Sequence, residues 1–164
     1  MYLNGTKVNG IDDIVNFFAR KFGSVYTSSN FPYKPISSII NDCINTMTFS
    51  VEEVIKCIDE LSDKLSEGPD KINILFIKKC KEVLVTPITE LFNLSIRLGF
   101  YPTLFKQSFV SPVFKSGDPH DVASYRPIVK INILAKLFEK LVFNKLYDYM
   151  VRYVIEEQHG FFCR

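Results

Sequence analysis

Val110-Ser-Pro-Val-Phe-Lys-Ser-Gly-Asp-Pro-His-Asp-Val-Ala-Ser-Tyr-Arg126, running on into Pro127-Ile128, is the stretch on which the reading of this chain turns. Phe109 to Lys115 has the Val and Phe content of a strand, and Pro112, which cannot donate to a ladder, confines that strand to an edge or an irregularity. Ser116-Gly117-Asp118-Pro119 supplies turn chemistry: Gly117 tolerates positive φ, and Pro119 pushes Asp118 toward an extended conformation. Tyr125 to Ile128 then reads as an extended return. The expected object is a two-limbed ribbon holding Lys115 and Arg126 near its ends. Two cations on a stiff ribbon suit a ligand with spread negative charge, phosphates above all. The plainer alternative is a surface hairpin whose Lys and Arg are only solvated.

The wording around the ribbon bears on that choice. Phe105-Lys106, Val110 to Asp118, Tyr125-Arg-Pro-Ile128, Lys136-Leu-Phe-Glu-Lys140 and Glu157-Gln-His-Gly-Phe161 stand in this order. Upstream come Gly68-Pro69-Asp70, Leu91-Phe-Asn-Leu-Ser95 and Gly99-Phe-Tyr-Pro102. Together they resemble the front of the reverse transcriptase (RNA-directed DNA polymerase) of non-LTR, LINE- or jockey-like retrotransposons. The resemblance covers residues 50–164 well. It is looser over 1–49, where Phe17 to Phe22 is similar to the helical lead-in of that domain.

The resemblance implies an α+β, mainly helical fold: a partial fingers region of a right-hand polymerase with one small antiparallel ribbon. It divides the chain into a helical lead-in and linker (1–49) and the N-terminal part of a reverse transcriptase domain (50–164), truncated before the palm. It assigns Lys115 and Arg126 to the incoming triphosphate, and Gln158, Gly160, Phe161 and Arg164 to the nucleotide and template pocket. Lys136, Lys140 and Lys145 are carried over as contacts to the nucleic-acid backbone, against a plainer reading as a solvated helix face. RNA template, RNA–DNA duplex and dNTP are the implied partners of the complete enzyme, and Mg2+ its cofactor. The family's catalytic aspartates lie beyond the Gln-His-Gly-Phe motif, so no catalytic residue is assigned and this chain alone is expected to be inactive and to bind no metal. Two departures stand out. Lys71 and Asn73 replace a Gly and a Pro that follow Gly-Pro-Asp in the family, and Val129-Lys-Ile-Asn132 replaces a Ser-Leu-rich segment, adding a cation beside the ribbon.

With 164 residues, 47% of them apolar and 15 of them Phe, the chain has material for a core. Net charge is only +2. Its distribution says more: residues 1–70 carry 6 basic and 10 acidic side chains, residues 71–152 carry 13 and 6. A basic central half suits a polyanionic partner. Cys43, Cys57, Cys80 and Cys163 have no metal-ligand spacing and read as reduced, partly buried thiols. With no long apolar run and no signal-peptide pattern, the expectation is a soluble intracellular protein, nuclear or cytoplasmic, with no membrane partner.

Local signals place the helices. One spans 11–23, capped by Asp12 or Asp13, with Ile11, Ile14, Val15, Phe18 and Phe22 inward. Ser50-Val-Glu-Glu53 is a capping box opening 51–63, with Val51, Val54, Ile55, Ile58 and Leu61 buried. Gly68-Pro69-Asp70 reads as a plain connecting turn. A helix over 72–82 turns Ile74, Ile77 and Cys80 inward. Another over 85–98 buries Ile88, Leu91, Phe92, Ser95 and Leu98 and stops at Gly99 before Pro102. Thr103–Lys106 is one helical turn. Asn132 caps a long helix to about 151, with Ile133, Leu134, Leu137, Phe138, Leu141, Val142, Leu146 and Tyr149 on its apolar side. Residues 154–164 begin a new extended element. The reading of a different class is a non-catalytic helical interaction module or nucleic-acid-binding relic of a mobile element, self-associating through exposed apolar faces.

Overall fold

The computed structural model describes residues 1–3, 5–26, 47–63 and 67–150. Along them run β1 (Tyr2–Leu3), β2 (Thr6–Lys7), α1 (Ile11–Gly23), α2 (Val51–Asp59), α3 (Ile74–Lys79), α4 (Lys81–Leu98), a 3-10 turn (Thr103–Lys106), β3 (Ser108–Phe114), a second 3-10 turn (Val122–Ser124), β4 (Tyr125–Ile131) and α5 (Ile133–Met150). The chain is mainly helical, with β3 and β4 paired as the antiparallel ribbon. A second small hairpin, β1 with β2, occupies the expected extended lead. Packing divides the chain into two compact units. One joins β1, β2 and α1 to residues 109–130; the other holds α2 to α5 and the first 3-10 turn. The described part of the lead-in thus packs with the ribbon, although about 80 residues separate them in the sequence.

The helical unit grows from local signals. Ser50 Oγ accepts from Glu53 N (3.2 Å) and the Glu53 carboxylate accepts from Ser50 N (2.9 Å), the reciprocal cap that starts α2. Val54, Cys57, Ile58 and Leu61 are buried, with Val51 and Ile55 packed on the core's edge. Asn73 accepts from Phe76 N (2.9 Å) and starts α3, which ends at Cys80, shorter than its periodicity predicts. Helix α4 begins at Lys81, earlier than expected, and runs through Pro87. The proline removes one bond, to the carbonyl of Val83, in a turn whose Val83 side chain lies open to solvent. Its buried stripe is Val85, Ile88, Thr89 and Phe92, joined by Ser95, while Leu91 and Leu98, expected inward, are exposed. Gly99 ends it at φ +59, the left-handed cap that glycine adopts without strain.

Two further helix faces differ from expectation. In α1 the N-cap is Gly10; Asp12 and Asp13 sit in the first turn, where they complement the helix dipole. Phe17 is its buried residue, whereas Ile11 and Val15 are exposed. In α5 the small Ala135 joins Leu137, Phe138 and Leu141 in the core, and Leu146 lies outside it. Tyr149's side chain and the predicted extended element at 154–164 lie outside the described residues.

Aromatic side chains fill the centre. Phe138 packs on Phe92 (5.1 Å between centroids), Tyr101 (5.8 Å), Phe49 (6.2 Å) and Phe105 (6.3 Å). Asn93 fastens the segment before α2 by accepting from Phe49 N (2.8 Å) and donating to Phe49 O (2.9 Å). Ser95 Oγ donates to the carbonyl of Phe100 and closes the end of α4. Tyr101 donates to Glu139 (2.7 Å); burial first, and that carboxylate second, raise its phenol well above the ordinary range. Of the described aromatic residues in the family-like segments, Phe92, Phe105 and Phe138 are buried in this core and Tyr101 packs against it, whereas Phe100 and Phe114 are exposed.

The turn at Gly68 is more than a connection. A Cβ added there would lie 2.7 Å from the Ile131 carbonyl oxygen and 2.8 Å from Asn132 Cα, so only glycine allows this approach. Asn132, 4% exposed, accepts from Asp70 N (3.3 Å) and donates to the Leu104 carbonyl (2.7 Å). Its side chain thus ties two loops together, while its backbone carbonyl starts α5 by accepting from Lys136 N (3.0 Å). The expected capping position is right; the carboxamide does a different task.

Beside it Lys71 holds φ +56, a left-handed conformation at the position where the resembled family carries glycine. Lys71→Gly is therefore predicted to stabilise the protein by roughly 0.5–1 kcal/mol, strain relief offsetting the greater entropy of an unfolded glycine. A raised melting temperature would register it, and a lowered one would count against the strain. Asn132→Asp tests the bridge: Asp caps a helix as well as Asn does, yet it cannot donate to Leu104. A loss of about 1–3 kcal/mol is expected in denaturant titration, where capping alone predicts almost none.

Candidate nucleotide-binding ribbon

The two faces of the ribbon differ in kind. Val110, Pro112, Pro127 and Val129 line an apolar cavity of about 360 Å³ with Val15, Phe18 and Phe22 of α1. Phe114 stacks on Tyr125 (5.5 Å), which in turn meets Phe18 edge-on (5.0 Å). These contacts place residues 110, 112 and 114 of β3 and 125, 127 and 129 of β4 on the face toward α1. Because successive side chains of a strand point to opposite faces, Phe109, Ser111 and Val113 of β3 and Arg126, Ile128 and Lys130 of β4 belong to the other face. Lys115 continues that alternation one residue past β3, its N–H donating to the Ser124 carbonyl (2.8 Å). Lys115 and Arg126 are therefore diagonal neighbours across the ribbon, within joint reach of one phosphate chain.

All three cations of this outer face are exposed, and none forms an ion pair among the described residues. Val113 and Ile128 between them are also about half exposed, at 48% and 45%. Lys130, legible in the sequence only as an added cation, lands on the same face as the two predicted residues.

The tip from Ser116 to Ser124 is tightly organised. Gly117 has φ +96, and a Cβ there would approach Ser124 Oγ at 2.9 Å. Asp121 caps the second 3-10 turn by accepting from Ala123 N (2.8 Å), and Val122 beneath it is fully buried. Asp118 accepts from Tyr2 OH (2.6 Å) and His120 N (2.8 Å), and these bonds, the tyrosine's first, hold its carboxyl below the usual range. In exchange the Tyr2 phenol is pushed up to about 12. No sequence signal pointed to Tyr2: a tyrosine in a loosely alternating lead carries no mark of a partner 116 positions away.

The lysines of α5 fare differently. Lys140 pairs with Glu60 (2.7 Å) and Lys145 with Glu53, so both clamp α5 to α2. Lys140 lowers the Glu60 carboxyl; for Glu53, burial pushes up, but Lys145 and the Ser50 N–H together win and the net shift is down. Lys136 stays exposed, without an ion pair among the described residues. Gln158, Gly160, Phe161 and Arg164 lie outside the described residues, as do Cys43 and Cys163. Cys57 is buried, which raises its thiol pKa, and Cys80 is half-buried; both are free. Among the described residues no three His, Cys, Asp or Glu side chains converge on a metal-sized site, and no helix is long and apolar enough to cross a membrane.

Comparison with known proteins finds relatives over about two-thirds of the chain. No protein-family model matches the chain. It is 31% identical over 112 residues to a probable RNA-directed DNA polymerase from transposon BS of Drosophila melanogaster, covering 68% of this chain and 12% of that protein. It is 31% identical over 110 residues to the corresponding probable polymerase of the X-element of the same fly, covering 66% and 12%. The polymerase of mobile element jockey from Drosophila funebris is 27% identical over 115 residues, covering 68% and 13%. The chain thus spans about an eighth of the length of the curated relatives it matches. By this likeness the chain belongs to the family of non-LTR retrotransposon RNA-directed DNA polymerases, of which it carries a partial region.

Proposed function

We propose that this chain supplies the nucleotide-contacting ribbon of an RNA-directed DNA polymerase, in the fingers of a right-hand fold, and that polymerisation belongs to the longer protein. The observation that carries this reading is the outer face of the ribbon: Lys115, Arg126 and Lys130 exposed together, without a carboxylate partner among the described residues. Arg126 is suited to grip two phosphate oxygens at once, and Lys115 beside it adds a mobile point charge. The acidic pairs of the described chain do not fit a two-metal site. Asp12 and Asp13 belong to the first turn of α1, and Glu53 is committed to Ser50 and Lys145. Mg2+ chemistry in the complete enzyme therefore rests on other carboxylates.

In the same reading RNA template and RNA–DNA duplex are partners, and Lys136 is the α5 lysine available to a backbone phosphate. Lys140 and Lys145 would first have to leave their glutamates. The pocket roles of Gln158, Gly160, Phe161 and Arg164 rest on the resemblance alone.

A second reading has its own observation. Leu91, Leu94 and Leu98 are exposed on α4, at a spacing that sets them on one helix face, with Leu98 at 65%. As a relic of a mobile element, the chain would use this face to self-associate.

Two measurements test these readings. Calorimetric titration with dTTP at low salt should show roughly tenfold or greater weakening for Lys115→Ala and for Arg126→Ala, the scale of a lost charge-assisted contact, with helical content unchanged. Unaltered affinity in both variants would remove the ribbon assignment. Sedimentation across a concentration series should show association that Leu98→Glu suppresses; a monomer at all concentrations, with a concentration-independent unfolding transition, would contradict the interaction reading.

A further inference from the structure

The tip of the ribbon poses an electrostatic problem. Asp118 lies three residues from Lys115, close enough along the turn to pair with it and cancel the charge a phosphate needs. The structure holds no such pair. Asp118 is turned to the N-terminal hairpin, where Oδ2 takes the Tyr2 hydroxyl at 2.6 Å, and Oδ1 takes the His120 N–H at 2.8 Å and lies 3.1 Å from His120 Nδ1. Tyr2 N–H also donates to the His120 carbonyl (2.8 Å). Among the described residues, these two bonds from Tyr2 are the hydrogen bonds that reach the tip from outside the ribbon. The hairpin bearing Tyr2 is itself fixed: Met1 and Val8 exchange hydrogen bonds at 3.0 and 2.9 Å, and Gly5 turns at φ +82.

We propose that Tyr2 is a positioning residue for polyphosphate binding: by holding the Asp118 carboxylate on the N-terminal hairpin it keeps Lys115 unpaired beside Arg126. This rests on the ribbon reading above. Tyr2 touches no ligand; it decides which cation the tip's carboxylate sees. Without the phenol hydroxyl, Asp118 keeps only its bonds within the turn and is released toward Lys115, three residues before it on the same turn. The ribbon then offers one effective cation fewer, which lowers affinity and flattens its dependence on salt.

The test uses the full chain and dTTP. Tyr2→Phe should bind about 3–10-fold more weakly, the scale of a partly neutralised contact, with a shallower salt slope and unchanged helical content. Adding Asp118→Asn to Tyr2→Phe should restore parental affinity, because the amide keeps the acceptor for His120 N–H but has no charge to spend on Lys115. A merely structural role of Tyr2 would not be rescued in this way. Parental affinity and slope in Tyr2→Phe overturn the proposal, as does weakened binding that Asp118→Asn fails to restore. Loss of binding in Lys115→Ala and Arg126→Ala with parental Tyr2→Phe leaves the ribbon reading standing without the latch. Parental binding in all of them removes the ribbon reading itself.

Discussion

The carboxamide of Asn132 is the contact on which the helical unit depends. Asn132 is buried, and the two ends of its carboxamide meet a donor at Asp70 and an acceptor at Leu104. Because Leu104 lies just before β3 and Asn132 just after β4, the bond closes the place where the chain leaves for the ribbon and returns from it. Gly68 makes this geometry possible by letting the backbone approach Ile131 and Asn132 more closely than any Cβ permits. Buried polar groups of this kind cost little when matched and several kcal/mol when left unpaired, so the bridge selects one arrangement of three segments.

The ribbon obeys a different constraint. Two adjacent strands cannot bury both faces by themselves, and a lone hairpin is marginal in water. Here α1 meets one face, with Phe18 against Tyr125, while Val110, Phe114 and Val129 of that face stay about half exposed, and the N-terminal hairpin holds the tip. The cations collect on the other face. Rigid support from one side and unpaired charge on the other is the arrangement that phosphate recognition asks for, since ordering the side chains beforehand reduces what binding must spend on it. The lysines of α5 show the contrast: the same residue type, once beside Glu53 and Glu60, joins two helices and presents little free charge.

The segments that carry the family likeness divide by physical role. Gly68, Phe92, Asn93 and Ser95 serve close approach, core filling and the closing of chain ends. Lys115 and Arg126 have exposed side chains that form no ion pair among the described residues. Lys71 and Asn73 are instructive departures. Lys71 keeps the backbone conformation of the glycine it stands for, at a cost in strain, whereas Asn73 exchanges a proline's rigidity for a cap that starts α3 equally well.

Sequence alone determined what depends on neighbours within a few positions. The capping box at Ser50, the stop at Gly99, the 3-10 turn before the ribbon, the glycine turn within it and the existence of α1, α2, α4 and α5 all follow from local hydrogen bonding and dihedral preference. What tertiary structure decided is what local signals cannot distinguish. Leu91 and Leu98 fit an apolar stripe as well as Val85 and Ile88 do, and only the position of α2 and α5 chose between them. Asn132 could cap a helix or bridge two loops, and Gly68 forced the second. Lys136, Lys140 and Lys145 are alike in sequence until Glu53 and Glu60 are brought beside two of them. Tyr2 becomes part of the ribbon's tip only when the chain closes a loop of more than a hundred residues. Each of these turns on contacts between residues far apart in the chain, where the free energy of packing and of burying polar groups outweighs the preference of any short segment.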